Sequence, residues 1–163
     1  SDQDTLASVL GQLLRKRGYK LALAESCTGG LLGSMITDVP GSSDYFAAGY
    51  ITYSNDAKQN LLGVPEQVIA EQGAVSAACA QAMATGARRV SGAEVAIAIT
   101  GIAGPTGGTP EKPVGTVYVT IIAPEGQLVE KLSLRGERAA IRTRAAKTAL
   151  NLARLLLLRE REK

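Results

Sequence analysis

The sequence predicts an α/β protein built on a mixed sheet of about five strands with helices on both faces. Three observations carry this. Strand-like and helix-like patterns alternate over the first hundred residues, which favours parallel pairing with helical crossovers. The segment 21–24 is a short apolar run that reads as a buried strand, and 93–100 (Ala-Glu-Val-Ala-Ile-Ala-Ile-Thr) reads as a central strand. Near the C-terminal end, 115–123 and 128–134 are separated only by Pro124-Glu125-Gly126-Gln127, which reads as a hairpin and therefore an antiparallel pair.

Each element has a local reason. Leu6, Val9, Leu10, Leu13 and Leu14 recur at helical spacing within 5–17, and Gly18 is a stop signal. Leu21-Ala22-Leu23-Ala24 reads as a buried strand. Leu31, Leu32, Met35 and Ile36 share one face of a helix running to about Asp38. Between them lies a tight turn of small residues, Glu25-Ser26-Cys27-Thr28-Gly29-Gly30. Pro40-Gly41-Ser42-Ser43 is a loop. Aromatic and β-branched residues then predict a strand at about 47–53. Asn55 is expected to cap a short helix that carries Lys58 and ends near Gly63. Pro65 opens another ending near Gly73. Ser76 caps an Ala-rich helix at 77–90, whose small side chains allow close packing on a sheet. The strand at 93–100 runs into Gly101-Ile102-Ala103-Gly104-Pro105-Thr106-Gly107-Gly108, a loop continuing to Pro113. The closing helix spans 138 to about 159. There is no internal repeat and no low-complexity segment.

Ligands of such sheets bind outside the carboxyl ends of the strands. The 25–30 turn, the 53–58 corner and the 100–113 loop each follow a strand, so all three are expected to meet at one rim.

Composition narrows the chemistry. A chain of 163 residues reads as one domain over 1–163 and can bury about 70% of its unfolded surface. No apolar run approaches the roughly 20 residues of a membrane span, and no signal-peptide pattern is evident. Two cysteines, Cys27 and Cys79, make neither a disulfide framework nor a zinc-ligand pattern, so the expected compartment is the reducing cytoplasm. The absence of histidine excludes Ser-His-Asp and Cys-His catalysis and any histidine-based metal site. The net charge of +3 is uneven: 131–163 holds ten Lys or Arg against three Asp or Glu. That segment could face a phosphate, an acidic partner or solvent.

The 25–30 turn opens a helix, where free N–H groups and the positive dipole end can hold an anion or a developing oxyanion. Ser26 sets a hydroxyl beside those donors. A simple helix cap would use the same residue types. As a nucleophile Ser26 needs a base, and without histidine a lysine with a lowered pKa is the next choice. Only eight Lys or Arg precede residue 131, and most lie near helix ends. Lys58 instead follows a strand end and sits within a turn of Tyr53-Ser54-Asn55. Tyr53 could relay a proton or donate it to the leaving group. The N–H groups of Cys27, Thr28, Gly29 and Gly30 would form the oxyanion hole, completing a Ser-Lys-Tyr acyl-transfer site. A solvated helix lysine and a half-buried strand tyrosine are the plainer alternatives. Cys27 could itself be the nucleophile, although at the helix start it is better suited to packing or to donating its backbone N–H. The loop at 101–108 is no P-loop, since no Gly-Lys-Ser/Thr follows, but its backbone donors suit a nucleotide or phosphate. Arg138 and Arg142, four apart on one helical face, could clamp a phosphate or form a solvated basic face.

These residues together resemble the CinA C-terminal domain family, the nicotinamide-nucleotide amidases of the PncC type. The motifs are Ala24-Glu25-Ser26-Cys27-Thr28-Gly29-Gly30, Gly49-Tyr50-Ile51-Thr52-Tyr53-Ser54-Asn55 with Lys58, and Gly73-Ala74-Val75-Ser76. They continue with Thr100-Gly101-Ile102-Ala103-Gly104-Pro105, Lys112-Pro113-Val114-Gly115-Thr116-Val117, and Gly136 followed by Arg138 and Arg142. The resemblance runs along nearly the whole chain in order. It implies a three-layer α/β/α sandwich and hydrolysis of the carboxamide of nicotinamide mononucleotide (NMN) to nicotinic acid mononucleotide and ammonia, in NAD recycling. It implies Ser26, Lys58 and Tyr53 as catalytic residues and a substrate contact at Thr100, Gly101, Ile102, Ala103 and Gly104, with Arg142 on the phosphate and Arg138 in the same pattern. It implies no metal or cofactor and a homo-oligomer. Some relatives carry a further N-terminal domain; the expectation here is a stand-alone amidase domain.

Two rival readings belong to other classes. A catalytically silent nucleotide-binding paralogue would keep the fold without turnover. A nucleic-acid-binding protein would use the basic C-terminal segment, but one Phe, five Tyr and no Trp leave little for base stacking. The expected partner is therefore the nucleotide substrate, not a nucleic acid or a membrane.

Overall fold

A computed structural model describes residues 5–159. Asp2 and Asp4, and Arg161 and Lys163 of the basic terminal segment, lie outside the described residues. The elements run α1 (Leu6–Arg17), β1 (Leu21–Glu25), α2 (Leu31–Thr37), a single 3-10 turn at Ser42–Asp44, β2 (Phe46–Ile51) and α3 (Asn55–Leu62). They continue with α4 (Glu66–Gln72), α5 (Ala77–Ser91), β3 (Val95–Gly101), β4 (Thr116–Ala123), β5 (Gly126–Ser133) and α6 (Arg138–Leu157). The five strands form one sheet in the order β2-β1-β3-β4-β5. β1 is parallel to both β2 and β3, while β3-β4 and β4-β5 are antiparallel. This is the expected mixed α/β/α sandwich.

Alternation within the central strands sorts the two helical layers. In β1 and β3 every side chain from Leu21 to Thr100 that belongs to a strand is buried, so both faces are covered. Leu21, Leu23, Val95, Ile97 and Ile99 join a core with α1, α2 and α6. Ala22, Ala24, Ala96 and Ala98 face the other way, onto Cys79, Met83, Ala84 and Ala87 of α5. Large side chains thus fill the space under three helices, and alanines let one Ala-rich helix approach closely. The approach continues outward: a Cβ on Gly86 of α5 would fall 2.0 Å from the Leu62 carbonyl oxygen at the end of α3. Only glycine fits there, and it lets the end of α3 lie directly against α5.

Helix ends follow local chemistry. Thr5, Ser54 and Ser76 accept N–H bonds from Ser8, Ala57 and Cys79, caps typically worth about 1 kcal/mol each. Gly18, Gly63 and Gly92 end their helices in the left-handed region. Three details differ from the sequence expectation. Ser54, not Asn55, caps α3, because its hydroxyl reaches the Ala57 N–H at 3.0 Å. β2 stops at Ile51, since the chain turns into the Thr52–Tyr53 corner that receives Lys58. The β4-β5 turn is shorter, Ala123 pairing directly with Gly126.

Candidate active site

The parallel arrangement of β1, β2 and β3 brings their carboxyl ends to one edge, and there a cleft of about 180 Å3 opens. Its lining draws on all three predicted loops. Ser26 and Cys27 come from the turn, Tyr53, Asn55 and Lys58 from the β2-α3 corner, and Thr100, Gly101 and Ala103 from the end of β3. Arg138 closes one side. Asn55, Ala74 and Val75 also line the cleft; sequence reading assigned Asn55 to capping and gave Ala74 and Val75 no site role.

Ser26 directly follows β1 and keeps one bond to the neighbouring strand, its N–H donating to the Ile99 carbonyl at 3.0 Å. By strand alternation its side chain follows Ala22 and Ala24 toward the α3-α5 layer. There Lys58, only 1% exposed, puts Nζ 2.9 Å from Ser26 Oγ. The same amine donates to the Thr52 carbonyl at 2.7 Å and the Tyr53 carbonyl at 3.1 Å. Burial lowers the Lys58 pKa below the ordinary lysine value, because an ammonium loses its hydration there; the nearby Cys27 and Cys79 thiols oppose this. A neutral lysine has two N–H groups and one lone pair. The two carbonyls can only accept, so they take both N–H groups, and the lone pair is left facing the Ser26 hydroxyl.

The other candidates sit differently. The Tyr53 phenol is at the mouth: the residue is 62% exposed, and its hydroxyl lies 3.4 Å from an Arg138 nitrogen. Its backbone carbonyl, rather than its phenol, meets Lys58. Cys27 is buried, and burial pushes its thiol up to about 11, so it is protonated near neutrality. Cys79 is fully buried in α5, and burial raises its pKa too. Ile102 and Gly104 do not line the cleft. Ile102 exchanges backbone bonds with Thr116 and Gly115, and the Gly104 carbonyl accepts from Arg138 at 2.7 Å. Arg142 spends Nε on the Cys27 carbonyl at 3.0 Å and Nη2 on the Thr28 carbonyl at 2.9 Å.

The turn itself is held by Glu25, which sequence reading passed over. Buried to 2% exposure, its carboxylate accepts the N–H groups of Gly30, Leu32 and Gly33 at 3.2, 2.9 and 2.9 Å. The α2 start is thus closed by an anion from the chain itself, as its dipole favours. Gly29 donates instead to the Ser26 carbonyl at 3.0 Å. Of the four N–H groups expected to form an oxyanion hole, Gly29 and Gly30 already have acceptors. That of Thr28 has none among the described residues, and that of Cys27 faces its own thiol. Positive φ at Gly29 (58°) and Gly30 (105°) permits this tight path.

The family model for the CinA C-terminal domain matches residues 3–157. The chain belongs to the CinA C-terminal domain family. A CinA-like protein of Geobacter sulfurreducens is 54% identical over 155 residues, covering 95% of this chain and 38% of that protein. The chain therefore spans less than two fifths of the length of the curated relatives it matches. Among solved structures, a competence/damage inducible protein from Agrobacterium tumefaciens is 40% identical, covers 93% of each chain and superposes with a TM-score of 0.90. A CinA superfamily protein from Escherichia coli is 34% identical with a TM-score of 0.87, covering 97% of this chain and 92% of that one. No helix among the described residues of this CinA domain is long and apolar enough to cross a membrane.

Proposed function

We propose that this domain is a serine amidase that hydrolyses the carboxamide of NMN to nicotinic acid mononucleotide and ammonia. The observation that carries the reading is the Lys58–Ser26 contact, with the amine's remaining donors committed to Thr52 and Tyr53. Neutral Lys58 takes the Ser26 proton as Oγ bonds to the carboxamide carbon. The oxygen that gains charge is received by the Cys27 and Thr28 N–H groups; one such donor is worth about 3–4 kcal/mol. The Lys58 ammonium then gives its proton to the amide nitrogen, the C–N bond breaks and ammonia leaves. Water attacks the resulting ester, Lys58 again takes a proton, and its return to Oγ releases the acid and restores the pair. Arg138 and the Tyr53 hydroxyl stand at the mouth, where the ribose phosphate would emerge.

Ammonia release from NMN, compared with free nicotinamide, tests the substrate assignment. Activity on the nucleotide at least ~10²-fold above that on nicotinamide is expected if remote phosphate contacts contribute to the transition state. No release from either substrate would refute the assignment and favour a binding-only protein.

A further inference from the structure

The peptide units of the 26–29 turn are planar and trans, so in each the carbonyl and the N–H point in opposite directions. This ties the Cys27 and Thr28 N–H groups to the carbonyls behind them. The Thr28 N–H shares a unit with the Cys27 carbonyl, which Arg142 Nε binds at 3.0 Å. The Thr28 carbonyl, bound by Arg142 Nη2 at 2.9 Å, shares a unit with the Gly29 N–H, which donates to the Ser26 carbonyl. That last carbonyl shares a unit with the Cys27 N–H. Three consecutive peptide units are therefore set in series; the Leu31 N–H also reaches the Thr28 carbonyl at 3.0 Å, and among the described residues the side chain that holds both the Cys27 and Thr28 carbonyls is Arg142. Arg142 is half-buried, does not line the cleft, and approaches from α6 behind the turn.

We infer that Arg142 is a positioning residue: by gripping the Cys27 and Thr28 carbonyls it turns the Thr28 N–H, and through Gly29 the Cys27 N–H, toward the reacting carbonyl on Ser26. This rests on the reading of Ser26 as the acyl acceptor. The anion at the cleft mouth is then met by Arg138. A planar fork can hold two adjacent carbonyls at once; a lysine ammonium on a flexible stem is a poor substitute.

The test compares wild type with Arg142→Met and Arg142→Lys, each first checked for folding by circular dichroism. Three rates are measured: turnover of NMN, turnover of its dephosphorylated nucleoside, and acylation of Ser26 by p-nitrophenyl acetate. Loss of an aligned oxyanion donor costs about 10²–10³ in kcat. The expected result is a kcat loss of that order on the nucleotide with KM within about threefold, and a matching loss with the nucleoside and the ester. A rise in KM confined to the phosphorylated substrate, with unchanged ester acylation, would make Arg142 a phosphate contact and overturn the inference. Full kcat in Arg142→Lys would overturn it as well. Should Arg142→Met not fold, Arg142→Lys, which keeps the stem and charge, decides. If wild type leaves NMN untouched, the substrate assignment fails, but the ester rates still decide the role of Arg142.

Discussion

The amine of Lys58 lies 2.9 Å from the hydroxyl of Ser26, inside a protein without histidine. Two carbonyls fix the amine from behind and burial favours its neutral form, so the pair is arranged for proton transfer before substrate arrives.

The first consequence is a pH profile. In the proposed mechanism the working form of Lys58 is neutral, so kcat/KM is expected to rise with pH through its lowered pKa and to level off above it. The rising limb is expected below 10.5, the ordinary value, and is lost with most of the activity in Lys58→Ala. Stability follows the same sign. Between the lowered folded value and the unfolded value of 10.5 the unfolded chain binds more protons, so stability rises with pH across that window. The slope is at most about 1.4 kcal/mol per pH unit, and it vanishes below the folded value, where both states hold the proton, and above 10.5, where neither does. Urea denaturation of wild type and Lys58→Met at several pH values measures it; equal slopes would count against a depressed lysine.

Tyr53 separates by atom. Its carbonyl helps hold Lys58, while its phenol stands at the mouth beside Arg138. Tyr53→Phe is expected to keep the rising limb of the pH profile and to act mainly on KM, by roughly the worth of one hydrogen bond, about 0.5–1.5 kcal/mol. Steady-state kinetics across pH would show a vanished limb instead if the phenol were the base.

Glu25 holds the turn without lining the cleft. In Glu25→Gln the amide replaces one acceptor oxygen with a donor facing backbone N–H groups and removes the charge at the α2 start. A stability loss of about 1–3 kcal/mol is expected from chemical denaturation. A variant as stable as wild type would show that the carboxylate contributes little.

What was readable in the sequence was what local chemistry fixes. Gly18 as a stop and Ser76 as a cap announce the ends of their helices, and the apolar residues of β1 and β3 announce covered strands. From that alternation the meeting of three loops at one rim followed, because parallel strands share a carboxyl edge. The rest depended on contacts distant in sequence. Glu25 reads as the first residue of the turn, and its role as acceptor for the α2 N–H groups shows only once α2 lies over it. Arg138 and Arg142 look equivalent on one helix face, yet one lies at the cleft mouth and the other behind the turn. The choice between the four turn N–H groups likewise needed their partners. A carboxylate ending an apolar strand just before a glycine turn is the signal that could have pointed to Glu25.

The most direct test of the central claim is ammonia release from NMN by Ser26→Ala against wild type, in protein shown to be folded. A loss of at least ~10³-fold is expected if Ser26 carries the acyl group. Near-normal release by Ser26→Ala would contradict the account.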